Sequence, residues 1–524
     1  MNALPRLAAR LLSAAWRRLV LLLLVGSTTA AGTWLLLRIL LANGLTSLEA
    51  AILPIFALTF GWVVLSFWCA VIGFLLRLGG LHPVTLRRES AANVPLPALR
   101  RRHAILVPIY NEEAGRVFAG IAATWRSLRA SGAAEAFELF VLSDSTQDAA
   151  RADERAAFTR TVAMLGARGR LHYRNRAQNL GRKAGNIAEW VDSQGAAFET
   201  MTILDADSVM AGDTLRRLAA LMEANPDAGI IQTLPLPANR RTLFGRALQF
   251  AGHLMAPMLA TGQSFWQLGE ANYYGHNAIL RVAPFARHAR LPLLPGRPPL
   301  GGEILSHDFV EAAFLRRAGW RTWLLPELGG SYEEVPSNLL DYGTRDRRWA
   351  QGNLQHLRLL AAPGLHWMSR LHLAMGVMAF LASPLWLAFL AFSSLAVIEQ
   401  SLTPPQYFPE AHSLFPRWPE YRPTESYTLL ALTIAVLMAP RALGLLLALR
   451  RDRRQAFGGT ARLLAGTAAE TLFSLLLAPV MMLLHSRFVA TILAGQSVGW
   501  GSQARADRAL SRGLALRLHA GQTL

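Results

Sequence analysis

Long uninterrupted apolar runs near both ends of the chain enclose a middle in which short apolar runs alternate with amphipathic stretches. A helix needs about 20 apolar residues to cross a hydrocarbon core. Leu19 to Leu41 meets that length, with Arg38 near its end placed to snorkel to the interface. Ala50 to Leu76 is a second such run with no charge inside it, and Leu371 to Ile398 and Tyr427 to Leu449 are a third and a fourth. Leu463 to Val498 is long enough for two short or re-entrant helices broken near Pro479, and it carries Glu470, His485 and Arg487. No cleavable signal peptide is expected, because the first run is too long and lacks a small-residue cleavage site.

From about residue 100 to 365 the pattern changes. His103-Ala-Ile-Leu-Val-Pro108, Phe137-Glu-Leu-Phe-Val-Leu142 and Thr200-Met-Thr-Ile-Leu-Asp205 read as strands, with helices over Asn111 to Leu128 and about Ala211 to Glu223. Strands alternating with helices predict a mainly parallel sheet. In such sheets ligands gather at the carboxyl ends of the strands. Asp144, Asp205 and Asp207 lie at those ends. The expected architecture is an α/β domain over residues 100–365, inserted between transmembrane regions of residues 1–99 and 366–524.

Composition narrows the class. Of 524 residues, 52% are hydrophobic and 17% charged, against about 25% charge in ordinary soluble proteins. This argues against a wholly cytosolic enzyme and excludes a disordered chain. The single cysteine, Cys69, rules out an internal disulfide framework. The net charge of +19 comes from arginines beside the apolar runs. Arg6, Arg10, Arg17 and Arg18 precede the first, Arg77, Arg87, Arg88 and Arg100 to Arg102 follow the second, and Arg450 to Arg454 and the tail are basic again. Positive-inside topology and anionic headgroups account for this better than nucleic acid does. The middle domain is therefore expected on the cytoplasmic side.

Candidate chemistry sits on four motifs. Asp205-Ala-Asp207 closes an apolar strand, and residues two apart in extended chain face the same way, so both carboxylates can meet one cation. Mg2+ or Mn2+, completed by phosphate oxygens, suits such ligands. Gly181-Arg182-Lys183-Ala-Gly185-Asn186 is a basic loop entering a helix, suited to phosphate, without the spacing of a P-loop. Ser306-His307-Asp308 opens a helix, where Asp308 is either a cap or a general base for an acceptor hydroxyl. In Arg345-Asp-Arg-Arg348-Trp349, Arg348 could neutralise a departing diphosphate and Trp349 offers a face for a sugar ring. Taken singly, each has an ordinary reading as a solvated turn, a helix start, a cap or an interfacial cluster. It is their combination that carries a function.

Ser143-Asp-Ser145, Gly181-Arg-Lys-Ala-Gly-Asn-Ile187, Asn272-Tyr-Tyr-Gly-His-Asn277, Ile304-Leu-Ser-His-Asp-Phe-Val-Glu311, Gly330-Ser-Tyr-Glu-Glu334, Arg345 to Trp349 and His485-Ser-Arg-Phe488 extend that combination. On these residues the chain resembles the membrane-embedded, processive family 2 glycosyltransferases, such as cellulose, hyaluronan and chitin synthases. More closely, it resembles the glucans biosynthesis glucosyltransferase H family of Gram-negative bacteria. The resemblance implies a GT-A-type domain that polymerises glucose from UDP-glucose into a β-glucan and moves it across the inner membrane; it suggests β-1,2 linkage, and the residues themselves leave β-1,3 and β-1,4 open. It implies that Asn111, Glu112 and Asp144 line the nucleotide site with Lys183 near it, and that Asp205 and Asp207 hold Mg2+ or Mn2+ and the diphosphate. Asp308 matches the catalytic base of a Thr-Glu-Asp motif, and Arg345, Arg348 and Trp349 match a Gln-x-x-Arg-Trp motif. Tyr274 and His276 fall where related synthases contact the acceptor.

His307 in place of the motif's Glu, and Arg345 in place of its Gln, depart from the cellulose synthase pattern. Trp500-Gly-Ser502 resembles a cytoplasmic gating loop. The long N-terminal extension of the family does not precede these residues, and no role of that extension is carried over. Implied partners are UDP-glucose, the growing glucan and the bilayer, and the resemblance also points to an acyl carrier protein and a periplasmic glucan-modifying protein. The competing readings are a transferase adding one sugar to a lipid carrier, which has no need of an Arg-Trp platform, and a non-catalytic scaffold, which would have lost one of Asp205, Asp207 and Asp308.

Overall fold

The computed structural model describes residues 13–83, 86, 98–403, 407–408, 414–416, 418–498, 510, 511, 513, 514 and 517. Trp500-Gly-Ser502 lies outside the described residues. The chain divides into two units, one of residues 1–81 and 378–489, the other of residues 82–377 and 490–524.

Five helices are long and apolar enough to cross a membrane: Ala14–Asn43, Ser47–Leu78, Trp367–Leu402, Pro423–Ala448 and Thr460–Leu493. In the helical unit many large apolar side chains are exposed, Leu22, Leu23, Leu472 and Leu476 among them, while Phe56, Phe60, Val64 and Val436 pack together. Glu470 is 4% exposed and takes Arg441 Nε at 2.9 Å and Nη2 at 3.1 Å. Ser474 Oγ adds a third donor at 2.6 Å. The sequence suggested two short or re-entrant helices around Pro479, whereas Thr460–Leu493 is one continuous helix with that proline inside it. A proline removes one backbone hydrogen bond, and long membrane helices tolerate this through local adjustment. At the second helix, Thr46 and Glu49 form a reciprocal capping box that fixes its start.

The α/β unit is built on a seven-stranded sheet of order β3-β2-β1-β4-β8-β6-β9. The strands are β1 (His103–Ile109), β2 (Phe137–Ser143), β3 (Leu171–Asn175), β4 (Thr200–Ile203), β6 (Ala228–Thr233), β8 (Ala278–Arg281) and β9 (Arg321–Leu325). A small second sheet orders β5 (Val209–Met210), β10 (Ser331–Glu333) and β7 (Leu236–Pro237). β3, β2, β1 and β4 run parallel, as the alternation predicts. β8 is antiparallel to both β4 and β6, so the sheet is mixed. Helices α1 (Ala114–Ala130), α2 (Asp148–Leu165), α3 (Arg182–Ser193), α4 (Gly212–Ala224) and α5 (Leu243–Gln267) follow in chain order, then α6 (His307–Arg317) and α7 (Leu339–Gln355).

Alternation along β1 fills both faces. Ile105, Val107 and Ile109 join the core with Phe118 and Trp125, while Ala104 and Leu106 join the core with Phe140 and Trp190. Strands covered on both sides read as continuous apolar runs, which is why these were visible in sequence. The chain leaves β1 toward β2 on one side, and β4 lies on the other. That reversal of strand order opens a crevice at the carboxyl ends, where such folds take their ligands.

Candidate active site

Four parallel strands end side by side, and each delivers a polar group. After β2, the Asp144 N–H donates to Ile109 O at 2.9 Å, which fixes the loop against the end of β1. The Asp144 carboxylate is held by Arg176, just beyond β3, through Nε and through Nη2 at 2.9 Å. Arg176 also donates to Arg182 O at 2.8 Å and Leu180 O at 2.9 Å, tying the loop before α3 to the same carboxylate. Burial pushes the Asp144 carboxyl above its ordinary pKa and Arg176 opposes this. Sequence reading passed over Arg176, because nothing local separates it from its basic neighbours.

Asn111 sits in the left-handed region at φ 50°. Its Oδ1 accepts from Thr146 N at 3.0 Å and Gln147 N at 3.2 Å, so its side chain staples two strand ends together. Glu112 follows it at the same edge.

Asp205 and Asp207 lie beyond the end of β4, in a turn closed by Ser208 N donating to Asp205 O at 2.9 Å. The turn, and not the extended alternation expected from sequence, sets the direction of the two carboxylates. Lys183 Nζ donates to Asp205 Oδ1 at 2.5 Å and to Gly275 O at 2.9 Å. Gly185 permits this: a Cβ there would stand 2.0 Å from Leu180 O. Gly275, at φ 87°, also leaves room for Asp308, whose Oδ2 would lie 3.1 Å from an added Cβ. Lys183, Asp205, Gly275 and Asp308 are thereby brought to one place.

His276 Nε2 lies 3.4 Å from Glu333 Oε2. Burial lowers the imidazole pKa, but Asp205 and Glu333 outweigh it, and the group sits above its ordinary 6.5. Burial raises the Glu333 carboxyl, with His276 opposing and Asp207 reinforcing. Glu333 belongs to this cluster; the sequence placed it in the Gly330–Glu334 motif without a role of its own. Tyr274 donates its backbone N–H to Gln232 Oε1 at 3.1 Å, and burial pushes its phenol up to about 12. Asp308, in the first turn of α6, is raised by burial, with His307 pulling the other way. His307 Nδ1 in turn pairs with Glu311 Oε1 at 2.9 Å.

On α7, Arg345 and Trp349 are four residues apart and share a face. The Arg345 guanidinium lies 4.2 Å from the Trp349 ring centroid and 5.1 Å from that of Tyr342. Trp349 remains 49% exposed, while Arg348 is 7% exposed. Gly352 lets α7 approach α6, since a Cβ there would stand 2.3 Å from Ser306 Oγ. His356 Nε2 donates to Ser306 O at 3.2 Å and secures that contact. Val498 N donates to Gln351 Oε1 at 2.7 Å, bringing that part of the chain against α7.

Among the described residues no three His, Cys, Asp or Glu side chains converge as a ready metal cage. Asp205 and Asp207 instead offer carboxylate oxygens of the kind Mg2+ or Mn2+ accepts when waters and phosphates complete the shell. The residues present fit that group. A crevice with two carboxylates for a cation, a lysine, a half-buried carboxylate beside a glycine backbone and an exposed indole can position an anionic donor and deprotonate a hydroxyl.

Residues 104–288 match the model of glycosyl transferase family 2, and residues 201–439 match that of glycosyl transferase family group 2. A glucans biosynthesis glucosyltransferase H from Rhodopseudomonas palustris is 48% identical over 508 residues, covering 97% of this chain and 70% of the relative. One from Escherichia coli is 42% identical over 530 residues, covering 97% of this chain and 62% of the relative. Among solved structures, a mannosyltransferase from Pyrobaculum calidifontis in complex with GDP-Man and Mn2+ aligns over 81% of this chain and 99% of its own, at TM-score 0.44 and 18% identity.

Proposed function

The chain belongs to the glucans biosynthesis glucosyltransferase H family of family 2 glycosyltransferases, and from that premise we propose that it polymerises glucose from UDP-glucose into a β-glucan, with β-1,2 linkage, and passes the product through its membrane helices. The observation that carries the reading is the meeting of Lys183, Asp205 and Asp308 around the Gly275 backbone. It joins a diphosphate-binding set to a single carboxylate able to act as base.

In this reading Asp144 and Arg176 receive the nucleotide base at the edge of the crevice, with Asn111 and Glu112 shaping its floor. Lys183 and Arg348 meet the negative charge that develops on the departing UDP. A Mg2+ or Mn2+ ion on Asp205 and Asp207 would supply further charge neutralisation for the diphosphate. Asp308 takes the proton of the acceptor hydroxyl as that oxygen attacks the anomeric carbon. One base and one displacement invert configuration, so an α-linked donor gives a β-linked product. Trp349 carries the terminal acceptor sugar, with Tyr274 and His276 beside it. The domain works on the cytoplasmic face of a bacterial inner membrane, where UDP-glucose is available. An acyl carrier protein and a periplasmic modifying protein are candidate partners.

The test uses the full chain in proteoliposomes with Mg2+ and radiolabelled UDP-glucose, following UDP release and sizing the labelled product by mass spectrometry. A ladder of glucose oligomers is expected. A single glucose on lipid would replace this reading with the carrier-loading one, and no UDP release would overturn the donor.

A further inference from the structure

Glu154, on α2, is fully buried at 0% exposure and has no part in the chemistry above. Its carboxylate accepts Ser143 Oγ at 2.7 Å, Ser145 Oγ at 2.5 Å and Tyr173 OH at 2.9 Å. Among the described residues its hydrogen bonds come from hydroxyls and from no cation. Burying a carboxylate is costly, and an apolar side chain of similar volume would avoid that cost. The acid must therefore do something a leucine could not.

What it does is fix direction. Here both carboxylate oxygens act as acceptors, whereas a serine hydroxyl both donates and accepts. With both serine protons committed to Glu154, the serine oxygens turn their lone pairs to the other side. Ser145 Oγ accepts the Asn111 N–H at 2.6 Å, which holds Asn111 in its left-handed conformation at the end of β1. Ser143 Oγ accepts Asn175 Nδ2 at 3.0 Å and the Ser145 N–H at 3.2 Å. Asn175 Nδ2 also reaches Ser145 O at 3.2 Å. Asp144 lies between the two serines, and Arg176 directly follows Asn175. The ends of β1, β2 and β3 are thus wired through one acceptor that touches no ligand.

We infer that Glu154 is a positioning residue that sets the hydrogen-bond direction of the loop presenting Asp144, and so preorganises the site for the nucleotide base. The inference rests on the assignment of Asp144 to the nucleotide. Glu154→Gln keeps the volume but adds a donor facing one serine oxygen, which turns that hydroxyl away.

The experiment measures KM for UDP-glucose, kcat and the UDP dissociation constant in the reconstituted full chain, beside Leu165→Ala on the same helix as a destabilised control. Glu154→Gln is expected to raise KM and the UDP dissociation constant about tenfold with kcat within about twofold, and Glu154→Asp, still acceptor-only, to recover part of the loss. Leu165→Ala is expected to lower the melting temperature with KM unchanged. If Glu154→Gln binds UDP like the parent, or loses KM and kcat only in step with folded protein, the inference falls while the donor reading stands. If the parent itself binds no UDP, both fall.

Discussion

Glu470 in the helical unit and Glu154 in the α/β unit are 4% and 0% exposed, yet they are satisfied differently. Glu470 faces a guanidinium, with one hydroxyl as an addition. Glu154 is met by three hydroxyls. The first answers its charge with a charge, as a membrane interior demands, and its pairing fixes which faces of two helices meet. The second is met by neutral hydroxyls and governs which way several neutral groups point. Burial of a carboxylate is therefore architectural in one region and directional in the other.

The largest effect expected concerns a half-buried carboxylate, Asp308. Asp308→Asn should lower glucosyl transfer by about a thousandfold or more, in keeping with loss of a general base, while UDP binding measured by calorimetry stays intact. Loss of binding as well would move Asp308 into the architectural class with Glu470.

Arg441→Met should destabilise the helical unit by about 3–5 kcal/mol by leaving Glu470 buried and unpaired. The double change Arg441→Met with Glu470→Met should recover most of that. Thermal unfolding in detergent reads both, and equal single and double effects would show that the pair is not coupled.

His356 sharpens the comparison from the cationic side. Burial lowers its pKa to about 4, so the folded chain holds it neutral at the α6–α7 contact. Its folded value lies below the ordinary 6.5, and its contribution is complete above 6.5 and is lost as the pH falls from there toward 4. The loss amounts to roughly 3 kcal/mol. The melting temperature of the solubilised chain should drop over that interval, and His356→Gln should flatten the drop.

The smallest effect is at the platform. Arg345→Gln removes a cation resting on the Trp349 ring, a contact of about 0.5–1 kcal/mol at an exposed site. Acceptor KM for a short β-gluco-oligosaccharide should change by about two- to fivefold with donor KM unaltered.

Sequence reading located β1, β2 and β4 to within a residue or two, because strands buried on both faces leave unbroken apolar runs. β3 escaped it: Leu171-His-Tyr-Arg-Asn175 is an edge strand, half polar, with no period to mark it. β8 is four residues long and runs antiparallel between parallel partners, a pairing no local pattern encodes. Lys183, Asp205, Asp207 and Asp308 were legible because their motifs are contiguous. Arg176 and Glu154 were not, and Glu333 stood in a motif without a role, since each acquires its part from partners on other elements. Asn111 was expected to line the nucleotide site, and its side-chain oxygen accepts from two backbone N–H groups of the next loop.

The approach of α7 to α6 at Gly352 and Ser306 acts as a gauge. Its length is set where a residue without a side chain rests against the residue two before Asp308, so rotation about side-chain bonds cannot reset it. In the proposed mechanism, an acceptor seated on the Trp349 indole would meet Asp308 at an inherited spacing. An engineer wishing to change the reach between them would have to alter the register of the two backbones, because resizing the indole alone would leave the ruler untouched.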